Sequence, residues 1–205
     1  MPKIYEIHEI PTTCYSDVLD GFTNLDKDIR PIHANTHLIG RAFTVNMPAG
    51  DNLVVLDAIS KAKPGDVLVI DTKGNRDRAI AGDFIVGLAK TLGIAGIVTD
   101  GTIRDIEGIR ALNYPVFCLG TTIAASHKRG FGELNVSISC GGATISPGDL
   151  IVGDEDGVVV IPREREQEVI SEASNKLSKD IERDKKISGN EQEVRNYLRE
   201  FLAKH

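Results

Sequence analysis

Two short apolar runs dominate the hydropathy pattern of this chain: Gly65-Asp-Val-Leu-Val-Ile-Asp71 and the stretch from Ile94 to Val98. Both read as short buried strands. The first runs into a polar, charged loop, 72–78, after which Ala81-Gly82-Asp83-Phe84 opens a helix reaching to about Leu92. Ile85, Leu88, Ala89 and Leu92 fall on one face of that helix at helical spacing. The second run ends in Thr99-Asp100-Gly101-Thr102, a turn with a helix N-cap candidate, and the next helix opens with Arg104 beside Asp105. Upstream, the pattern predicts a helix over 16–25 capped within 14–16, an alternating β-rich segment over 38–47, and a helix over 52–62 with Val55, Leu56 and Ile59 on one face. This strand–helix rhythm favours a mostly parallel sheet.

After Pro115 the pattern changes. Strands are predicted over 115–119, 134–139, 143–145, 150–152 and 158–161, with Gly-rich turns that suggest antiparallel pairing. From Pro162 the chain turns polar and helical. Val169, Ala173, Leu177 and Ile181 recur every four residues, Ser188-Gly189-Asn190 interrupts, and 191–202 carries Val194, Tyr197, Leu198 and Phe201 on one face. The expected organisation is an α/β domain over 1–162 with a helical C-terminal extension over 163–205. Such narrow apolar stripes need a partner surface; packing onto their own domain is the plainer reading, and packing across a subunit boundary is the one expected here.

Composition narrows the function classes. The 205 residues fit one domain, or one domain with an appendage, and 41% hydrophobic content is enough for a core. A net charge of −6 with no Lys/Arg stripe argues against nucleic-acid binding. No apolar stretch is long enough to span a bilayer, and residues 1–9 are too polar for a signal peptide. Cys14, Cys118 and Cys140 form no CxxC pair and read as buried free thiols, so the chain is expected to be cytoplasmic. His8, His33, His37 and His205 show no metal-ligand spacing, and His127 stands alone in a loop. No adenosylmethionine-type Gly-rich loop follows the first strand. No phosphate-loop Lys follows Gly141-Gly142.

The candidate chemistry lies at the two strand ends. Ligands of parallel α/β sheets bind beyond the carboxyl ends of strands, and helix N-termini there favour anions. If the two central strands are neighbours, Asp83, Arg104 and Asp105 converge, together with the amides of Gly82, Asp83, Phe84 and Ile85. That set offers a guanidinium to a carboxylate or enolate oxygen and carboxylates to a hard cation, Mg²⁺ or Mn²⁺. The plainer reading is a surface ion pair at one helix start and a dipole-favoured Asp83 at the other. No lysine stands where a Schiff base is implied; Lys128 reads as a solvated or subunit-contact charge.

Several fragments together resemble the RraA-like family: Gly65-Asp66-Val67, Gly82-Asp83, Gly96-Ile-Val, Asp100-Gly-Thr-Ile-Arg-Asp105, Lys128-Arg-Gly130, Cys140-Gly-Gly142, Pro147-Gly-Asp149 and Asp154-Glu-Asp-Gly-Val158. The likeness spans roughly 11–162. This family includes metal-dependent 4-hydroxy-4-methyl-2-oxoglutarate/4-carboxy-4-hydroxy-2-oxoadipate aldolases, and its regulators of ribonuclease E activity are protein-binding inhibitors. Some members once carried a demethylmenaquinone methyltransferase label. The resemblance implies a compact α/β/α sandwich of the swivelling phosphohistidine-domain type, assembled as a homotrimer or hexamer. It further implies that Asp105 ligates the metal, Asp83 orders its waters and Arg104 meets a 2-oxo acid substrate. The implied activity is retro-aldol release of pyruvate from a 4-hydroxy-2-oxo dicarboxylate, with oxaloacetate decarboxylation through the same pyruvate enolate. Apart from the resemblance, a tail packed across a subunit boundary is expected to lend the site an acid, with Asp180 and Glu182 as candidates. The alternative is a non-enzymatic regulator of ribonuclease E.

Overall fold

The computed structural model describes residues 6–130 and 132–203; the first five residues of the polar N-terminal segment and His205 lie outside them. In chain order the elements are α1 (Thr12–Val18), β1 (Arg30–Pro31), β2 (Leu38–Asn46), α2 (Leu53–Lys61), β3 (Asp66–Asp71), α3 (Asp83–Thr91), β4 (Gly96–Thr99) and α4 (Ile106–Ala111). There follow β5 (Val116–Cys118), β6 (Glu133–Leu134), β7 (Ile138–Cys140), β8 (Ala143–Ile145), β9 (Leu150–Asp154), β10 (Gly157–Ile161), α5 (Glu166–Ile187) and α6 (Glu191–Leu202).

Among the described residues the main sheet runs β1-β5-β4-β3-β2-β9-β10, with β6 on the C-terminal end of β2. Strands β2 to β5 are parallel to one another, and β1, β9 and β10 add antiparallel edges. The two central strands are neighbours, Val67 opposite Gly96 and Ile70 opposite Thr99. Side chains of β3 alternate between two buried clusters. Leu68 and Ile70 meet α2, α3 and α4, whereas Val67 and Val69 meet the β7–β8 hairpin. Each of these four is fully buried, and burial of one such side chain contributes about 1.5–3 kcal/mol. A third cluster packs α1 and α5 against β9 and β10. The α/β architecture with a helical C-terminal tail is as expected, and one face of its sheet is covered by a hairpin.

Several boundaries differ from the sequence reading. The first helix is Thr12–Val18, not 16–25: Pro11 fits its N-cap, and Asp20 and Gly21, both at positive φ, turn the chain away. The segment 134–139 is split into β6 and β7, with Asn135 at φ 53° between them. The last central helix starts at Ile106, so Arg104 precedes it and Asp105 is its N-cap. Thr99-Asp100-Gly101-Thr102 caps no helix; the Asp100 carboxylate instead accepts from Thr72 N at 2.7 Å, Thr72 Oγ1 at 2.9 Å and Gly74 N at 3.0 Å.

The tail also differs. Val169 and Ala173 are buried against Tyr15, Leu150, Val152 and Ile161 of their own chain, and Arg41 of β2 binds Glu166 at 2.9 Å. The first half of α5 therefore seals its own domain rather than crossing to a neighbour. The apolar face of α6, including Leu198 and Phe201, stays largely exposed. Asp180 is engaged by Lys176 at 3.1 Å and Arg183 at 2.8 Å.

Candidate active site at the carboxyl edge of the sheet

The loop after β3 is fastened at both ends. Asp100 holds its beginning, at Thr72 and Gly74. Its end, 79–82, runs beside the segment after β4: Ile80 N donates to Thr102 O at 2.8 Å and Arg104 N to Ala81 O at 3.1 Å. On its other side, Ala79 N donates to Ala124 O at 2.9 Å. These bonds place the start of α3 and the residues before α4 side by side.

A cleft of about 200 Å³ opens there, lined by Gly82, Asp83, Phe84, Ile85, Arg104 and Asp105, with Asn52, Ala79, Ala81, Ala125, Ser126 and Lys128 completing its wall. All six residues expected from the sequence thus meet in one place. Two glycines make the approach possible. A Cβ at Gly82 would collide with the Asp105 carboxylate, and a Cβ at Gly108 would stand 2.5 Å from Asp83 Oδ2. The two helix starts therefore interlock, each presenting an aspartate over the other's glycine. Asp105 sits in the left-handed region at φ 57°, ψ 44° and makes no capping bond, although aspartate commonly caps helices. Its Oδ2 lies 3.3 Å from Arg104 Nε, both side chains being well exposed. Asp83 Oδ1 accepts from the Phe84 amide at 2.7 Å.

Sequence reasoning missed Asn52, Ser126 and Lys128 as cleft residues. They arrive through a long-range pairing: His127 N donates to Gly50 O at 2.7 Å and Asn52 N to His127 O at 2.9 Å. Asp51 fixes the same junction by accepting from the amides of Leu53 and Arg129. Burial pushes the Asp51 carboxyl up, but amide hydrogen bonds from Leu53, Arg129 and Gly130 outweigh it and hold the group below the ordinary carboxylate value. Lys128 therefore stands at the cleft wall while remaining exposed to solvent. The His127 side chain is exposed and does not line the cleft. The three cysteines are free and buried, as expected, and burial raises each thiol. Asp71 ends β3 fully buried and paired with Lys73, apart from the cleft.

Among the described residues no group of three His, Cys, Asp or Glu side chains is gathered as for a metal held by the protein alone. The donors at the cleft are two carboxylates, Asp83 and Asp105, with the space around them kept clear by glycine. An all-oxygen set of one or two carboxylates fits Mg²⁺ or Mn²⁺, which keep much of their own hydration. It does not fit Zn²⁺, which favours histidine and cysteine.

Comparison with known proteins identifies the family. A Halalkalibacterium halodurans protein named "Putative 4-hydroxy-4-methyl-2-oxoglutarate aldolase" is 56% identical over 199 residues, 97% of this chain and 95% of that one. A solved, uncharacterized protein from Pseudomonas syringae pv. tomato superposes with a TM-score of 0.80 at 30% identity, covering 95% of this chain and 97% of that one. The RNA-processing inhibitor RraA from Thermus thermophilis superposes with a TM-score of 0.68 at 29% identity, over 74% of this chain and 92% of its own. The family model described as RraA-like, Aldolase/RraA, matches residues 12–160 and so takes in the β3–α3 and β4–α4 junctions that form the cleft. This chain belongs to the RraA-like family.

Proposed function

We propose that the cleft is the active site of a divalent-metal-dependent lyase that releases pyruvate from a 4-hydroxy-2-oxo dicarboxylic acid and also decarboxylates oxaloacetate. The convergence of Arg104, Asp105 and Asp83 over two glycines is the observation that carries this reading. Asp105 would hold the ion, with Asp83 beside it, and the ion supplies a Lewis acid that polarises the 2-oxo group. The chain's own residues do the rest. Arg104 offers a guanidinium to the oxygen on which negative charge grows as the C–C bond breaks, a stabilisation largest in the transition state. The first turn of α3, where Gly82 to Ile85 line the cleft, carries N–H groups outside the helix's own backbone ladder, of which the Phe84 amide is taken by Asp83 Oδ1, and such a helix start attracts a carboxylate. Lys128 adds a second positive charge for the distal carboxylate. Both reactions pass through one enolate, so one arrangement serves both.

Assembly belongs to the same proposal. Phe84 at the cleft is 74% exposed, and α6 leaves Tyr197, Leu198, Phe201 and Leu202 substantially uncovered. A homotrimer or hexamer that covers these side chains would also bring an acid to a cleft that holds two. No helix among the described residues is long and apolar enough to cross a membrane.

The test is pyruvate release from oxaloacetate and from several 4-hydroxy-2-oxo acids, with and without Mg²⁺. Metal-dependent release supports the proposal. No release from any of them, together with binding to ribonuclease E, would favour the regulator reading, which the likeness to the Thermus RraA keeps open.

A further inference from the structure

Asn52 stands at the N-cap of α2 and does not cap it. At that position an asparagine oxygen ordinarily accepts from the second or third amide of the helix. Here the neighbouring Asp51 carboxylate takes the Leu53 amide at 3.1 Å. Asn52 Nδ2 donates instead to Ile80 O at 2.8 Å, which fixes the plane of its amide. The remaining atom, Oδ1, is buried and accepts from no donor among the described residues. Asn52 is only 5% exposed, and it lines the cleft together with Gly82, Asp83 and Arg104. A buried acceptor without a donor is destabilising and calls for an explanation. A residue that gives up its local role without local compensation marks a functional position.

We propose that Asn52 Oδ1 accepts a hydrogen bond from the C4 hydroxyl of a 4-hydroxy-2-oxo acid and so selects aldol substrates over 2-oxo acids that lack this group; this rests on the lyase reading above. At neutral pH such a substrate carries acceptors at its carboxylates and its oxo group, and a single O–H donor, the C4 hydroxyl. Asn52 belongs to the cleft wall and its Oδ1 is shielded, so a small movement of the wall that uncovers it gives the acceptor one partner on the substrate; the keto form of oxaloacetate brings none. In the cleavage the C3–C4 bond breaks and its electron pair moves through C2–C3 onto the 2-oxo oxygen. C4 becomes a carbonyl carbon, and the hydroxyl proton leaves to a basic group of the cleft or to water. The Asn52 amide is not basic enough to keep that proton. It aligns the O–H bond for departure, and a site built around a substrate hydroxyl disfavours the analogue without one.

The experiment measures pyruvate release from a 4-hydroxy-2-oxo dicarboxylate and from oxaloacetate, and inhibition by 2-oxoglutarate, a dicarboxylate without the hydroxyl. Wild type is compared with Asn52→Ala and with Asn52→Asp, which keeps an acceptor. In Asn52→Ala the ratio of kcat/KM for the hydroxylated substrate to that for oxaloacetate should fall by roughly tenfold, the worth of one hydrogen bond. The gap between KM of the hydroxylated substrate and Ki of 2-oxoglutarate should narrow with it, while Asn52→Asp retains more of both. Ratios taken within one preparation are insensitive to partial loss of folded protein. Equal falls on both substrates with an unchanged gap would overturn the proposal and leave the lyase reading standing. Wild-type protein that releases pyruvate from neither substrate would overturn both.

Discussion

Gly108 of α4 lies against the side chain of Asp83 at the start of α3, so that a Cβ at position 108 would stand 2.5 Å from Asp83 Oδ2 and 2.7 Å from Asp83 Cβ. Alanine is the better helix former by about 1 kcal/mol, but a Cβ 2.7 Å from Asp83 Cβ cannot be relieved by rotating the carboxylate alone, so Gly108→Ala should push the starts of α3 and α4 apart. It should displace the Asp83 carboxylate with them. Pyruvate release is expected to fall at least about tenfold, for a displaced catalytic group, and the melting temperature to fall as well. Normal turnover in this variant would show that the position of Asp83 does not matter.

Arg104→Lys keeps the positive charge and loses the planar fork. Turnover should drop by roughly 10²-fold, the range for loss of one donor to a developing oxyanion. The fold should survive, because Arg104 contributes to the loop through its backbone bond to Ala81 O, which lysine keeps. Circular dichroism beside steady-state kinetics checks both halves.

Metal removal gives a third expectation. Chelator should abolish pyruvate release and added Mg²⁺ or Mn²⁺ should restore it, whereas Asp105→Asn should not respond to added metal. Borohydride should trap no substrate on the protein. Full activity in chelator would exclude the proposed chemistry.

The two tail helices should behave differently when removed. Val169 and Ala173 of α5 are part of a buried cluster, whereas α6 contributes no buried residue. Deleting 188–205 should leave the melting temperature within a few degrees and lower the mass seen by light scattering. Deleting 163–205 uncovers β9 and β10 and should sharply destabilise the fold. An intact monomer would contradict the proposed assembly.

Asp51 predicts an acid limb. Its carboxyl is held below the ordinary value, so its contribution to stability is fully present above the unfolded carboxylate pKa near 4 and is lost as pH falls through the lower folded pKa. Asp51→Asn should flatten that limb in thermal melts between about pH 5 and 2. Because Asp51 also anchors the amide of Arg129, beside Lys128, the variant should raise KM for substrates bearing a distal carboxylate.

The central strands were legible because β3 and β4 bury both faces, which leaves an apolar run too dense to mistake. The acids at their ends were legible because chain polarity puts both junctions on one sheet edge. What escaped was set by backbone bonds between distant segments. Nothing near Lys128 announces that His127 pairs with Gly50 and Asn52, and nothing in Asn52 announces that its amide turns to Ile80. The start of α4 was misplaced because Asp105 takes a left-handed conformation that its residue type tolerates but does not demand. The tail was half misjudged: a stripe every four residues looks the same whether it lies on its own sheet or on another copy.

The backbone of Asp105 has a consequence for engineering. An L-residue at φ 57° stores strain on the order of 1 kcal/mol, and glycine would release it. A library ranked only by survival after heating would therefore favour glycine at position 105, and every such winner would lack the carboxylate that the proposed chemistry requires. Selection for turnover pulls the other way. A screen for robust variants of this protein should hold position 105 fixed, since here endurance and turnover favour different residues.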